Sequence, residues 1–555
     1  MPKKKFEFSS LFSLSGLLTL LACLPVLALV WTALQGNSDI WEHLIRYVIP
    51  PTLVETSLLL LGVGLLTILI GTGSAWIVTA YQFHGRAFLD WALLLPLAVP
   101  TYIIAYSYID ILHPIGPAQS LLRDGLGLDM QQLWFPNIRS VWGGIFLLSF
   151  VLYPYVYLST RAMFLMQSAS LIEVARSLGL KPDQVFLRVA MPLARPAIAV
   201  GTSLVLMETI NDIGATEFLG IKTLTLSIYS TWINQSDLAS AAQIAIFMLM
   251  IITFLVIIER LGRHKQRYMN SAQRSRLMSP QPIKGTRALI LFGLGLIPVC
   301  IGFLIPFSHL LVESYKRIQY AGFSEYLLQT SMNTLTLASI ATFITILIGF
   351  LIVSAARFSR NTWFSRIASL GYAIPGTVLA IGLMLSLGAL DHAVADFLEF
   401  KLGISTGLLF LGTSFTLIYA YAVRFLAISI GGIESGYNRI HGVIDDAARN
   451  LGQNRRGILW RVHFPLLRPA IISAALLIFV DCMKELPATL LLRPLNMETL
   501  ATQLYAEASR GTYEDGAIAA LLIVLVGLIP VILLARMGKT CLLYTSPSPR
   551  DVEES

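Results

Sequence analysis

The sequence predicts an all-α, polytopic membrane fold of about twelve transmembrane helices, arranged as two parallel-repeat halves of six. Three observations predict it. The chain is 55% hydrophobic and only 13% charged, with a mean hydropathy of +0.71, and a soluble domain carries about twice that charged fraction. Twelve apolar runs reach the roughly 20 residues that a helix needs to span a bilayer. One polar segment also occurs twice. Residues 173–198 read EVARSLGLKPDQVFLRVAMPLARPAI, and residues 446–471 read DAARNLGQNRRGILWRVHFPLLRPAI. The copies lie 273 residues apart without a gap and agree at 12 of 26 positions, where background usage gives about two.

The spans fall at 11–34, 53–80, 88–111, 141–163, 196–218 and 239–258 in the first half. In the second they fall at 288–312, 331–356, 367–390, 407–430, 470–492 and 516–535. The first run follows Lys3-Lys4-Lys5, but it is too long for a signal peptide and no small-residue cleavage site follows it. Cys23 reads as a plain membrane cysteine. Further pairs extend the repeat. TILIG occurs at Thr67–Gly71 and at Thr345–Gly349, and Val99-Pro100 in the third span matches Ile374-Pro375 in the ninth. Six is even, so the halves share an orientation about an axis along the membrane normal. The expected organisation is a first transmembrane domain over 1–258, a basic cytoplasmic linker over 259–287 and a second transmembrane domain over 288–540. Residues 541–551, CLLYTSPSPRD, resemble the translation of a transposase sequencing adaptor, so 541–555 is read as a non-native tail.

The net charge of +8 reflects topology. Most Lys and Arg gather in the amino-terminal KKK, the two cassettes and the linker. This positive-inside bias places both termini in the cytoplasm and argues against a nucleic-acid partner. The four Cys have no disulfide or metal spacing, and the eight His form no HxxxH pair. Gly538-Lys539-Thr540 resembles the end of a phosphate-binding loop, but Leu533 stands where that loop requires another Gly. The chain is therefore expected to hold no ATP site.

Each cassette has a helix–Gly–helix pattern. Glu173 gives the first short helix an acidic start, favourable at a helix N-terminus, and Gly179 breaks it. Pro182 and Asp183 open a second short helix, which Pro192 and Pro196 are expected to end. Asp446, Gly452, Pro465 and Pro469 take the same places in the second copy.

This pattern resembles the EAA signature of the membrane subunits of bacterial ABC importers. Here it comprises Glu173, Ala175, Gly179, Val189 and Pro192. The second copy keeps Ala447-Ala448 and Gly452 but has Asp446 for Glu and Phe464 before Pro465. The resemblance implies the type I importer transmembrane fold and an EAA loop in each half, at 170–196 and 443–469. It also implies docking of an ATPase on Glu173, Ala175, Arg176, Gly179 and Pro192, and on Asp446, Ala448, Arg449, Gly452 and Pro465. The implied partners are two copies of an ABC ATPase, which uses the ATP and Mg, and a periplasmic substrate-binding protein. The chain itself would bind no cofactor and catalyse no reaction, and it would sit in the bacterial inner membrane.

Carboxylates recur inside the spans. The fifth reads LVLMETINDIGATEFLG and the eleventh LLIFVDCMKELPATLLL. At the 273-residue offset Glu208 matches Asp481, Asp212 matches Glu485, and Ala215-Thr216 matches Ala488-Thr489. Glu208 lies 12 residues after Pro196, about 18 Å along a helix. Charges at that depth line a cavity or pair internally. Three readings stand: structural pairing with Lys484, Arg424 or helix ends; a path that attracts cations; and a tight metal site, since hard cations prefer oxygen. A two-fold arrangement would gather all four carboxylates around one axis.

LMETINDIGATEFLG and DCMKELPATLLLRPLNMETLATQLYAEAS are similar to stretches of fused ferric-iron permeases, which implies ferric iron as substrate. Related permeases for thiamine, polyamine, aminoethylphosphonate or sulfate share the architecture, and acidic pathways suit the anions poorly. The binding protein would meet loops 35–52, 112–140, 219–238, 313–329, 391–406 and 493–515. The readings from another class are an ATPase-independent secondary transporter or channel, which transport without any ATPase would reveal, and a membrane enzyme, for which no nucleophile–base pair recurs.

Overall fold

The computed structural model describes residues 2–35, 42–129, 133, 135–166, 175, 177–179, 182–269, 280–322, 324–359 and 361–543. Among them, eleven helices are long and apolar enough to cross a membrane. The pair Arg86–Ala98 and Thr101–Ile111, bent by 92°, makes a twelfth if it counts as one span. Each corresponds to one of the twelve expected apolar runs, but in seven of them a boundary moves by a turn or more.

The ninth span starts at Gly376 rather than 367. Residues 363–373 form an α-turn and a tight 3-10 turn of their own, and Ile374 and Pro375 then adopt extended backbone. Val99 and Pro100 do the same in the first half. A residue before proline is pushed out of the helical region, so the repeated Pro breaks both spans alike. The tenth span starts at Ser414 rather than 407. Residues 409–411 are held in a loop by the buried Asp391, whose carboxylate accepts the amides of Leu409, Phe410 and Leu411 at 2.9–3.2 Å.

The fifth and eleventh spans, Phe186–Asn211 and Arg455–Met483, start and end earlier than expected. Pro192 and Pro196 do not end an element, as the sequence suggested. Helix continues through a π-turn at Phe186–Ala190 into Met191–Asn211. The same turn occurs at Leu459–His463, Leu44–Val48 and Cys300–Leu304. Each of the four ends two residues before a proline: Pro192, Pro465, Pro50 and Pro306. Proline lacks an amide hydrogen, and its ring collides with the carbonyl one turn back. The wider π-turn absorbs that misfit and lets the helix go on.

Packing divides the chain into two compact units. Unit I comprises Met1–Thr52, Leu224–Ile252 and Phe323–Ala506. Unit II comprises Leu53–Thr223, Thr253–Gly322 and Glu507–Ser555. Each sequence half therefore contributes to both. In unit I the first helix, Pro2–Leu34, packs on Glu325–Ser359, Trp363–Ala368 and Gly376–Leu402. Gly382 lies so close to Pro25 that a Cβ would meet the Pro25 carbonyl, and the Tyr419 hydroxyl donates to the Leu21 carbonyl at 2.6 Å. In unit II the last helix, Tyr513–Leu543, packs along Ile305–Ala321 and the 95–98 turn. The Tyr108 hydroxyl donates to the Ile301 carbonyl at 2.8 Å.

The Leu238–Met269 helix runs through the first eleven residues of the expected linker. Residues 281–282 then pair in parallel with Tyr81–Gln82, and residues 270–279 lie outside the described set. The last helix extends to Leu543, three residues into the tail set aside from the sequence.

The TILIG repeats mark close helix crossings. Thr67 and Thr345 are buried and return their hydroxyls to the Val63 and Ala341 carbonyls, at 2.8 and 2.6 Å. A Cβ on Gly71 would sit 2.8 Å from Val156 Cβ and 2.9 Å from the Tyr153 carbonyl oxygen, and one on Gly349 would strike Ser429. Gly71→Val should therefore cost about 1–3 kcal/mol, the usual range for overpacking. Two residues on, a Cβ at Gly73 meets nothing within 4 Å, so Gly73→Ala should gain up to about 1 kcal/mol of helix stability. Thermal unfolding midpoints in detergent should move in opposite directions, and equal midpoints would remove the close-approach argument.

Candidate functional site

The second cassette lies in unit I. Gly442–Asn450 is a short helix with Asp445 and Ala448 buried and with Val443, Asp446 and Arg449 exposed. Asp446 and Arg449 pair across one turn at 2.8 Å on the exposed side. Leu451 ends the helix, and Gly452 turns the chain with φ +78°. Asn454 then caps Arg455–Ile458 by accepting the Gly457 amide at 2.8 Å. Left-handed backbone of this kind favours glycine. No neighbour lies within 4 Å of a Cβ built at Gly452, so conformation alone selects the glycine.

The first cassette lies in unit II and shows the same features where it is described. Ala175 is buried like Ala448, Gly179 has φ +84°, and Pro182–Val185 starts the following helix. Glu173 and Arg176 lie outside the described residues. Pro192 and Pro465 both follow the π-turns. Leu178 and Leu451 hold matching positions at the tip, 77% and 81% exposed. Two large apolar side chains presented at equivalent turns are an unpaid solvation cost unless a partner covers them.

The sequence reading missed a polar network that anchors the second cassette and a half-buried ion pair in the other unit. In unit I, His463 Nε2 lies 2.8 Å from Asp445 Oδ1, and Arg357 Nε lies 3.3 Å from Asp445 Oδ2. The Tyr437 hydroxyl lies 3.2 Å from His463 Nδ1 and 2.9 Å from the Ser354 hydroxyl. The network ties the Gly442–Asn450 helix to the π-turn and to two spans. In unit II, Arg161 forks onto Asp90 at 2.5 and 2.6 Å, and the Tyr157 hydroxyl donates to the same carboxylate at 2.6 Å. Neither network repeats across the halves. Asp445 corresponds to Ile172 and His463 to Ala190, so comparing one copy with the other passes over them.

The intramembrane carboxylates sit at two helix breaks. Met191–Asn211 stops at Asp212, which has extended backbone, and a new turn begins at Gly214. Phe464–Met483 stops likewise, and Pro487–Leu492 begins after it. Asp212 Oδ1 accepts the Ala215 amide at 2.9 Å, and Glu485 Oε1 accepts the Ala488 amide at 3.0 Å. Thr216 and Thr489 donate to the carbonyls of Asp212 and Glu485 at 2.9 and 2.8 Å. Both inner carboxylates thus satisfy a first-turn amide of the helix after the break, as a capping side chain does. The expected cationic partners are also placed: Arg424 lies 3.2 Å from Glu485, and Lys484 lies 2.9 Å from Asp481. Glu208 and Asp212 belong to unit II, Asp481 and Glu485 to unit I. Among the described residues, no three His, Cys, Asp or Glu side chains group as a metal site.

Residues 67–267 match the family described as binding-protein-dependent transport system inner membrane component. Over 523 residues the chain is 25% identical to the Fe(3+)-transport system permease protein FbpB 2 of Haemophilus influenzae, covering 93% of this chain and 95% of that one. The ferric transport system permease protein FbpB of Actinobacillus pleuropneumoniae is 22% identical, over 89% of this chain and 72% of its own length. A probable sulfate transport system permease protein, cysT of Chlorella vulgaris, is 29% identical over 39% of this chain and 82% of its own. Permeases of such systems work with an ATPase and a binding protein. The chain is accordingly similar over most of its length to inner membrane permeases of binding-protein-dependent transport systems, and its eleven membrane-length helices among the described residues fit a multi-pass protein of that kind.

Proposed function

We propose that this permease carries ferric iron across the bacterial inner membrane. A periplasmic binding protein would deliver the iron, and a separate ATPase would supply the energy. One observation carries the iron reading. The Fe(3+) permease of Haemophilus influenzae aligns over 93% of the chain, whereas the Chlorella sulfate relative covers 39%. Carboxylates at both helix breaks suit a cation better than an oxyanion.

In this reading both termini and both cassettes face the cytoplasm, and two ATPase copies dock, one on each cassette. The chain holds no ATP site and binds no cofactor, and ATP and Mg2+ belong to the partner. Docking would cover Leu178 and Leu451, with Ala175, Arg176, Gly179 and Pro192 in one interface together with Glu173. Asp446, Ala448, Arg449, Gly452 and Pro465 would serve the other. Glu208, Asp212, Asp481 and Glu485 would line the route of the cation.

The geometry supports a mechanical link. From each cassette one helix runs through a π-turn to a carboxylate break: Met191–Asn211 to Asp212, and Phe464–Met483 to Lys484 and Glu485. Twenty residues of helix span about 30 Å. A shift of the cassette therefore reaches the break along a single stiff element, and the breaks are where the backbone can re-aim. Closing the ATPases would move these helices and open the route outward, in the alternating-access manner of repeat-built transporters.

Gly179→Val with Gly452→Val should uncouple the system. A β-branched residue in left-handed backbone costs about 1–2 kcal/mol, and no clash adds to it. The double variant should insert normally yet lose ATPase co-purification or iron uptake, measured in reconstituted vesicles. Wild-type uptake with full ATPase attachment would overturn the docking assignment. His463→Ala should act on the second cassette alone. It leaves Asp445 short of a partner, a cost of about 1–3 kcal/mol for a buried polar group. The thermal midpoint should fall, and binding-protein-stimulated ATP hydrolysis should weaken while Leu178 and the first cassette remain intact. An unchanged midpoint would show that the network does not hold the loop.

A further inference from the structure

The two helix breaks can be compared residue by residue, and three positions differ together. At the second break Glu485 is fully engaged. Oε1 accepts the Ala488 amide and lies 3.2 Å from Arg424 Nη1, while Oε2 lies 3.0 Å from the Thr489 amide and 2.6 Å from its hydroxyl. Gly376, the first residue after the Pro375 break, makes room for this. A Cβ there would run into Arg424 Nη1 and sit 2.8 Å from Glu485 Oε1.

At the first break the same three places read Asp212, Val151 and Thr101. The carboxylate is shorter by one methylene, the guanidinium is replaced by an aliphatic side chain, and the glycine by Thr101, whose hydroxyl interacts with the Asp212 carboxylate without making a hydrogen bond of good geometry to Oδ2. Asp212 is 7% exposed. Its Oδ1 caps Ala215, and its Oδ2 accepts no hydrogen bond among the described residues. Glu208 stands one helical turn earlier in the same helix.

We propose that the two breaks have different work: Asp212 Oδ2 is the oxygen that meets the translocating ferric cation, and Glu485, already neutralised by Arg424, is a fixed brace. This rests on the iron-permease reading above. A buried carboxylate oxygen without a partner carries a desolvation cost. A hard cation passing it removes that cost through the ligand type such cations prefer. The second repeat displays the equivalent arrangement with a cation in place, but that cation is covalently part of the protein. The two breaks are therefore electrostatically unlike, although the chain is built from a repeat.

The test grafts the second break onto the first. Thr101→Gly with Val151→Arg supplies the missing space and guanidinium, and Asp212→Asn and Glu485→Gln complete the set. Each variant is reconstituted with its ATPase and iron-loaded binding protein, and iron uptake, ATP hydrolysis and thermal midpoint are read together. The graft and Asp212→Asn should cut uptake per folded molecule by about tenfold or more while ATP hydrolysis persists, as expected when only a pathway charge is lost. Glu485→Gln should lower the thermal midpoint and the folded yield, because Arg424 is stranded, and Asp212→Asn should not. Wild-type uptake by folded Asp212→Asn overturns the proposal even if the graft does not fold. So does a loss of stability in Asp212→Asn matching that of Glu485→Gln, which would make Thr101 and Asp212 a structural pair. A wild-type complex that moves no iron overturns the substrate reading instead, and the two failures are separately visible.

Discussion

A helix that breaks inside a bilayer exposes amides that no water can satisfy, and the structure depends on how that constraint is met. Lipid offers no hydrogen bonds, so irregular backbone at depth survives only where protein supplies the partners. Asp212 and Glu485 do so for the turns that follow them, and Asp391 takes up three amides of the 409–411 connection between two spans in the same manner. These carboxylates are first of all local solutions to a backbone problem. A group already needed for that purpose is then in place to meet a passing cation, which is how a structural and a transport role can share one residue.

The four π-turns answer a related constraint by another route. A proline within a span threatens the helix one turn earlier, and each of these spans widens just before its proline instead of breaking. The contrast with Pro100 and Pro375 is instructive. There the backbone before the proline becomes extended, and a true corner results. The same residue type thus yields either a continuous lever, as at these four π-turns, or a hinge, as at Pro100 and Pro375. The cassette helices have the lever form, suited to carrying a displacement over their length.

Much of this was legible in the sequence. Composition and apolar run length marked the spans, and the internal repeat marked the cassettes, the Pro corners and the carboxylate positions. Arg424 and Lys484 were foreseen as partners because few other charges exist at that depth. What escaped were features unique to one half or dependent on backbone detail. The His463–Asp445 network has no counterpart to draw attention to it. The shifted starts at Gly376 and Ser414 follow from a corner and a capped loop, whose residues are as apolar as the helices beside them. Pro192 looked like a terminator because a π-turn leaves no signature in composition.

The grouping of Pro2–Leu34 with second-half helices has a consequence for how the protein is made. Pro25 meets Gly382, 357 residues later in the chain. At the usual 5–20 residues per second, ribosomes need roughly 20–70 s to cover that interval. Throughout that time the first helix sits in the bilayer without its partner, showing lipid the face it will later bury. The first helix reaches its final packing only once the second half is made, and a stalled or truncated chain would leave it available to any neighbour with a similar groove. The fusion of both halves into one polypeptide keeps the rightful partner tethered nearby while the wait lasts.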